Sequence, residues 1–300
     1  MKNIYKSVAG MQEVIGQYRQ ILDDWPVINR QYEVETSFGP TYVIESGSKD
    51  NPPLILLHGS VSNSFTWYSD VASLSQTYNV YAIDIIGEAG LSAPSRPSYA
   101  SGAYALWLNE TIHALKLSTC SIAAMSLGGW MALSFATTYP DKVDKLVLLC
   151  PGGLAHEKAS FLWKAIFYSL LGKWGQLQTL KLVGSKISSS SLSELGNGLT
   201  FASLTFKHFK PRTAKMPLFR DQSLGQLTMP ILMLFGDSDQ LIPASKSIKR
   251  LQQFARQARI ELLPDTGHLI VNQADRILEF LISEIENDIP ESHINKELYY

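Results

Sequence analysis

The chain has 300 residues, of which 45% are hydrophobic and 18% are charged, and its formal net charge at pH 7 is −1. This composition can bury a full core and excludes a disordered chain, and the length suits one large α/β domain with an insertion or two small domains. A nearly neutral chain without a long basic stripe has no general attraction to nucleic acid, so we do not expect that class of partner.

The first 26 residues predict a helical extension. Residues 9–22 place apolar side chains at helical spacing and are followed by Pro26, which favours a short amphipathic helix packed on the outside of the domain. The extension has neither the apolar core nor the small-residue cleavage pattern of a signal peptide. We therefore expect a cytoplasmic protein.

The pattern of residues after position 26 predicts one sheet. Residues 31–37 and 41–45 alternate apolar and polar side chains, as in an antiparallel hairpin. Continuous apolar runs then predict buried strands at residues 54–57, 80–83, 121–124, 146–149 and 231–235, and a last strand is predicted at residues 259–263. Helical segments separate them at residues 65–76, 102–115, 126–139, 244–256 and 273–286. This alternation predicts an α/β fold: a mostly parallel sheet with helices on both faces and a ligand site at the carboxyl ends of its strands.

A serine stands between a predicted strand and a predicted helix in Ala123-Ala124-Met125-Ser126-Leu127-Gly128-Gly129. At such a turn the serine lies beside a helix N-terminus, where backbone N–H groups and the helix dipole favour negative charge. The turn requires small residues two positions before and after the serine, and Ala124 and Gly128 meet this requirement. The alanine is a mild departure from the usual Gly-x-Ser-x-Gly pattern. Ser126 is therefore predicted to be a nucleophile.

Three more polar loops follow predicted strands: His58-Gly59-Ser60, then Gly236-Asp237-Ser238-Asp239, then Gly267-His268. Serine, carboxylate and histidine in this chain order are typical of one class of serine triad. Among the six histidines only His268 lies in the loop directly after the last strand, and an imidazole that titrates at about pH 6.5 can take the serine proton and return it. Either Asp237 or Asp239 could be the acid.

These loops, together with Asp84-Ile85-Ile86-Gly87-Glu88-Ala89-Gly90-Leu91-Ser92, resemble the α/β-hydrolase superfamily in its esterase and lipase-like branch. The resemblance covers about residues 30–150 and 226–286. It implies that Asp239, third after the loop glycine, is the triad acid. It also implies that the backbone N–H groups of Ser60 and Leu127 form the oxyanion hole, that His58 supports its loop, and that no metal or organic cofactor is required.

The resemblance also divides the chain. Residues 27–150 and 227–289 correspond to the hydrolase core, and residues 290–300 form a tail without a readable motif. Between the two parts of the core, residues 151–226 are aromatic and Ser/Leu-rich and interrupt the alternation of strands and helices. They are expected to form a helical cap between strands six and seven of the family's sheet. Its apolar faces would cover an acyl pocket. The alternative is a membrane-lying segment at residues 161–171, which is far shorter than the roughly 20 residues of a span.

The two cysteines, Cys120 and Cys150, both belong to predicted strands. We expect two buried free thiols, because unpaired cysteine is among the most buried residue types. A disulfide or a metal pair is the alternative, although no cysteines or histidines have the spacing of zinc ligands.

The sequence thus predicts a soluble serine hydrolase that cleaves small or medium apolar carboxylic esters through an acyl-enzyme. Dehalogenases and epoxide hydrolases of the superfamily carry aspartate at the position of Ser126, which disfavours those activities. The alternatives are another reaction on the same triad, namely carbon–carbon bond hydrolysis, acyl transfer or cofactor-free perhydrolysis, and a ligand receptor on the same fold. Receptors of this fold commonly lose a triad member, whereas Ser126, Asp239 and His268 are all present here.

Overall fold

A computed structural model describes residues 4–158 and 196–283, together with residues 175, 178 and 182. Eight strands in this part of the chain form one sheet: β1 (Asn29–Val34), β2 (Thr41–Ser46), β3 (Pro53–Leu57), β4 (Asn79–Ile83), β5 (Cys120–Met125), β6 (Val143–Leu149), β7 (Ile231–Gly236) and β8 (Arg259–Leu263). Their order across the sheet is β1-β2-β4-β3-β5-β6-β7-β8. The pairs β1/β2 and β2/β4 are antiparallel and the other five neighbouring pairs are parallel.

The described helices are α1 (Val8–Asp23), α2 (Val71–Thr77), α3 (Ala103–Ala114), α4 (Leu127–Thr138), α5 (Gly196–His208), α6 (Asp221–Leu224), α7 (Ala244–Phe254) and α8 (Ala274–Ile282). Helix α3 packs against α4, and α2 packs against α8. Every residue of β5 is buried, which requires cover on both faces of the sheet. The predicted mostly parallel α/β fold is confirmed.

The order of the strands positions the polar loops. Strands β5, β6, β7 and β8 are parallel neighbours, so their carboxyl ends lie at the same edge of the sheet. Ser126 directly follows β5, Asp239 lies three residues beyond β7, and His268 lies five residues beyond β8. Three residues that are far apart in sequence therefore meet at one edge.

The N-terminal helix α1 packs against α5, in the region that the sequence assigns to the cap. Its buried face includes Val14, Tyr18 and Ile21. The backbone just before α1 also bonds to the end of α5, since the Lys6 N–H donates to the His208 carbonyl at 2.7 Å. The sequence predicted the helix but not this contact, because the helix pattern shows which face is apolar and not what covers it.

The single helix predicted over residues 65–76 is wrong. A 3₁₀ turn at Ser64–Trp67 is followed by a break, and α2 begins only at Val71. The Asp70 carboxylate at the break makes no capping bond to its own helix. It accepts the backbone N–H groups of Gln273 and Ala274, at 2.6 and 2.8 Å, and so caps α8. Asp70 therefore caps the distant helix α8 and is not available to cap α2.

The predicted cap over residues 151–226 is described only at residues 151–158 and 196–226 and at three single positions. The aromatic stretch at residues 161–171 and the predicted tail at residues 290–300 lie outside the described residues. Within the described part of the chain, no helix has the length and apolar character needed to cross a membrane.

Candidate active site

Ser126 sits on a strained turn between β5 and α4. Its φ of 50° and ψ of −106° lie in a region that residues other than glycine rarely adopt. The neighbouring Gly128 is required for the same turn, because a Cβ there would lie 2.6 Å from the carbonyl oxygens of His58 and Leu57. The turn therefore presses the start of α4 against the loop after β3.

Three side chains form a continuous hydrogen-bonded chain. His268 Nε2 is 2.9 Å from Ser126 Oγ, and His268 Nδ1 is 2.8 Å from Asp239 Oδ2. A carboxylate can only accept, so Nδ1 carries the proton and Nε2 is free to accept from the serine hydroxyl. All three residues are buried. The structure thus brings together the serine, histidine and carboxylate that the sequence singled out.

The structure distinguishes the two candidate carboxylates. Asp239 Oδ1 accepts the backbone N–H groups of Leu241 and Ile242, which leaves Oδ2 directed at His268. Burial acts to raise the pKa of Asp239, but its bonds to the imidazole and to these N–H groups lower it overall. Asp237 is exposed and instead accepts the backbone N–H of Asp265. Only Asp239 contacts the imidazole.

The surroundings of His268 make it a stronger base than an exposed imidazole. Burial alone would lower its pKa, whereas the Cys150 sulfur and the Asp239 carboxylate raise it, and the net direction is upward. The Asp239 bond acts by stabilising the charged imidazolium, which is the form that results when the ring takes a proton from serine.

Two backbone N–H groups are available beside Ser126. Among the residues that the structure describes, neither the N–H of Ser60 nor that of Leu127 donates to a protein acceptor. Leu127 begins α4, and the Ser60 loop lies close to the serine, since a Cβ on Gly59 would be 3.6 Å from Ser126 Cβ. A developing negative charge at this point would meet both donors.

His58 holds this loop, as predicted for a supporting residue. Its Nε2 accepts the backbone N–H of Ile85 at 2.9 Å, so Nδ1 carries the proton and donates to the Gly59 carbonyl at 2.7 Å. Burial lowers the pKa of the ring and so favours this neutral form. Since the Gly59 carbonyl and the Ser60 N–H belong to one peptide unit, His58 orients that N–H.

Sequence reasoning missed two residues near the site. Glu88 is 3% exposed and accepts the backbone N–H of Val61 at 2.7 Å, next to Ser60. The signal was a charged residue in the otherwise small and apolar stretch after Asp84, but its partner is 27 residues away. The second residue is Cys150, whose thiol donates to the His268 carbonyl at 2.9 Å.

Both cysteines are buried and free, as predicted, so the disulfide alternative is wrong. Ligand-type atoms of Cys150, Asp239 and His268 lie within 4.8 Å of one another, which is the spacing of a metal donor set. Their hydrogen bonds already account for this proximity: the thiol bonds to the His268 backbone, and the carboxylate bonds to its ring.

Comparison with known proteins places the chain in a family. Residues 54–280 match the model of the alpha/beta hydrolase family. The chain is 31% identical to carboxylesterase YbfK of Bacillus subtilis over 90% of its own length and 93% of that protein, and 28% identical to the uncharacterized carboxylesterase nap of the same organism over 89% and 91%. The crystal structure of carboxylesterase CesB (YbfK) covers 93% of this chain and all of its own, with a TM-score of 0.80 at 27% identity. The fold and these matches together show that the chain belongs to the alpha/beta hydrolase family.

Proposed function

We propose that the protein is a serine carboxylesterase in which Ser126 is the nucleophile, His268 the general base and Asp239 the acid that orients the base. The observation that carries the proposal is the hydrogen-bonded chain from Ser126 Oγ through the imidazole to Asp239, with distances of 2.9 and 2.8 Å. The family supports it, because the two relatives similar over about nine-tenths of the chain are named carboxylesterases.

In the first half of the proposed reaction, Ser126 Oγ attacks the ester carbonyl carbon while its proton moves to His268 Nε2. The negative charge on the carbonyl oxygen is then stabilised by the N–H groups of Ser60 and Leu127. Each such donor contributes about 3 to 4 kcal/mol to transition-state stabilisation in related chemistry. When the intermediate collapses, the alcohol leaves with the proton from His268, and an acyl-enzyme remains on Ser126.

The second half repeats these roles with water. His268 takes a proton from the water as the oxygen attacks the acyl carbon, and the same two N–H groups hold the second oxyanion. Collapse returns the proton to Ser126 Oγ and releases the acid. Throughout both halves Asp239 stays ionised and keeps Nδ1 protonated, which its lowered pKa favours.

We also propose that residues 151–226 form a cap over the acyl pocket. In its described part, the segment at residues 216–219 lies beside α4 and beside Gly152, whose N–H donates to the Ser126 carbonyl at 3.1 Å. The Trp130 indole N–H donates to the Pro217 carbonyl at 3.0 Å, and the rings of Trp130 and Phe219 are 5.8 Å apart. Gly153 leaves room for Phe219, since a Cβ there would be 2.6 Å from its ring. Such aromatic surroundings favour apolar acyl groups.

The test is hydrolysis of p-nitrophenyl esters of increasing acyl length by the wild type and by Ser126→Ala. We expect turnover in the wild type and a loss of at least about 10⁴-fold in the variant, because the nucleophile is removed. Labelling of the wild type by a fluorophosphonate, absent in Ser126→Ala, provides a second readout that needs no ester. A wild type that neither hydrolyses esters nor reacts with the probe would overturn the proposal and favour a ligand receptor.

A further inference from the structure

The backbone immediately after Ser60 is held in an unusual conformation. Val61 has a φ of 60°, in the left-handed region that a β-branched residue rarely adopts. Such a conformation persists only where surrounding contacts hold it. The Val61 N–H makes one such contact, a 2.7 Å bond to Glu88 Oε2.

Ser60 is therefore anchored on both sides by buried side chains. The peptide unit before it is held by His58, which bonds to the Gly59 carbonyl, and the peptide unit after it is held by Glu88. A second contact ties the same two loops together, because the Asn63 amide donates to the Ala89 carbonyl at 3.0 Å. Of the two contacts between these loops, only the bond from Val61 to Glu88 involves a residue adjacent to Ser60.

Burial and charge act on Glu88 in opposite directions. Burial dominates and raises the pKa of Glu88 to about 7, whereas the Val61 N–H and the guanidinium groups of Arg96 and Arg212 lower it. The other titratable groups facing it are the hydroxyls of Tyr5, Tyr99 and Tyr104, whose own pKa values are raised and which stay neutral near pH 7. A charged acceptor binds an N–H more strongly than a neutral one.

We infer that Glu88 is a positioning residue for the proposed ester hydrolysis: its carboxylate fixes the Val61 peptide and thereby aims the Ser60 N–H at the oxyanion. The inference rests on the proposed function. It assigns Glu88 no contact with substrate, so the residue acts on turnover and not on ground-state binding. Loss of the acceptor should accordingly lower kcat and leave KM nearly unchanged.

The first test compares Glu88→Leu with Glu45→Leu in hydrolysis of a p-nitrophenyl ester. Glu45 is a matched control, because it is also buried, at 5% exposure, but it bonds to Arg30 and Tyr32 of the edge strand β1 and not to the Ser60 loop. We expect E88L to lower kcat about 10- to 100-fold with KM within threefold, since misplacing one oxyanion donor is costly. E45L should keep kcat within threefold. Equal losses in the two variants, or a loss of E88L confined to KM, would overturn the inference.

If E88L does not fold, a second variant tests the positioning role of Glu88. In Glu88→Gln the amide oxygen still accepts from Val61 but carries no charge. Since burial raises the pKa of Glu88 to about 7, the wild type loses its charged acceptor as the pH falls toward 6, and the kcat values of the two proteins should converge there. At pH 8, E88Q should be about 3- to 10-fold slower, because it lacks the charged acceptor. Equal kcat of E88Q and the wild type at pH 8 contradicts the assignment.

Failure of the inference is distinguishable from failure of the proposed function. A wild type that is active and is silenced by Ser126→Ala, while E88L and E88Q behave as the wild type, overturns only the role of Glu88. If the wild type hydrolyses no ester, the proposed function fails, and the same ratios are then measured as rates of fluorophosphonate labelling. That reaction also builds negative charge beside Ser126 and needs no ester substrate.

Discussion

The two backbone donors beside Ser126 are positioned by different means. The Leu127 N–H is the first of α4, and its direction follows from the turn at residues 124–129, where Gly128 allows the close approach of the loop after β3. The Ser60 N–H belongs to no helix. Buried side chains hold its two flanking peptide units, and one of them, Glu88, comes from the loop after β4.

The difference shows that only the Leu127 half of the proposed oxyanion hole is positioned by a local segment of the chain. A helix N-terminus presents free N–H groups because the first turn of every helix lacks intrahelical acceptors, so one short segment is sufficient for Leu127. The Ser60 donor depends on burying a histidine and a carboxylate whose polar atoms must all find partners. Substitutions should therefore act on the first donor through sterics and on the second through lost hydrogen bonds.

The largest effect is expected at the proposed base His268, because both halves of the proposed reaction depend on it, whichever donor stabilises the oxyanion. Asp239→Asn should lower kcat about 10³- to 10⁴-fold, because the amide does not stabilise the imidazolium. Asp237→Asn is the matched control and should stay within threefold of the wild type.

The pH profile of Asp239→Asn tests the direction in which Asp239 shifts the pKa of His268. His268 acts as a base only when neutral, so kcat/KM falls as pH drops through its pKa, which Asp239 helps to raise above the ordinary 6.5. In D239N the acid limb of the profile should move to lower pH. An acid limb at the same pH in both proteins would contradict the role of this contact.

Gly128→Ala tests the local donor. Its Cβ would meet the carbonyl oxygens of His58 and Leu57, which are backbone atoms and cannot move aside, so the turn itself must shift. We expect kcat to fall about 100-fold or more, as after loss of one oxyanion donor, and the free energy of unfolding to fall by about 1 to 3 kcal/mol.

Gly16→Ala is the control for this substitution. Gly16 lies within α1 with nothing inside 4 Å of a Cβ, so the same change should slightly stabilise the protein. Thermal melts and ester kinetics of the two variants measure this difference. A fully active G128A would contradict the conclusion that the turn at Gly128 positions the Leu127 donor.

His58→Leu tests the long-range donor and should have the smallest of the three effects. It removes the partners of the Gly59 carbonyl and the Ile85 N–H, and each buried group left unpaired costs about 1 to 3 kcal/mol of stability. We expect kcat to fall about 10-fold with KM little changed, because the loop keeps its contact to Glu88. The exposed His113→Ala should leave both unchanged. A loss in H58L as large as in G128A would show that the two donors are equally rigid.

Much of the molecule could be predicted from local patterns. Alternating apolar and polar residues predicted the first two strands, apolar runs between helical segments predicted most of the others, and the small residues around Ser126 predicted its turn. Because Ser126, Asp239 and His268 each follow a predicted parallel strand, the sequence also placed them at one edge of the sheet. These features are readable because burial and turn geometry constrain residues that are close in sequence.

Three features depended on contacts between distant parts of the chain. The residues alone left Asp237 and Asp239 open and the resemblance implied Asp239, but the contact itself depends on which side chain turns inward toward His268. The break before α2 follows from the use of Asp70 by α8.

The Ser60 loop follows from Glu88 in the same way. By itself, the sequence determined the sheet, the turn at Ser126 and the candidates for the site, because periodicity and small residues act locally. Only the tertiary structure decided which buried polar groups pair with one another, since a partner can come from any part of the chain and is selected by proximity in the folded core.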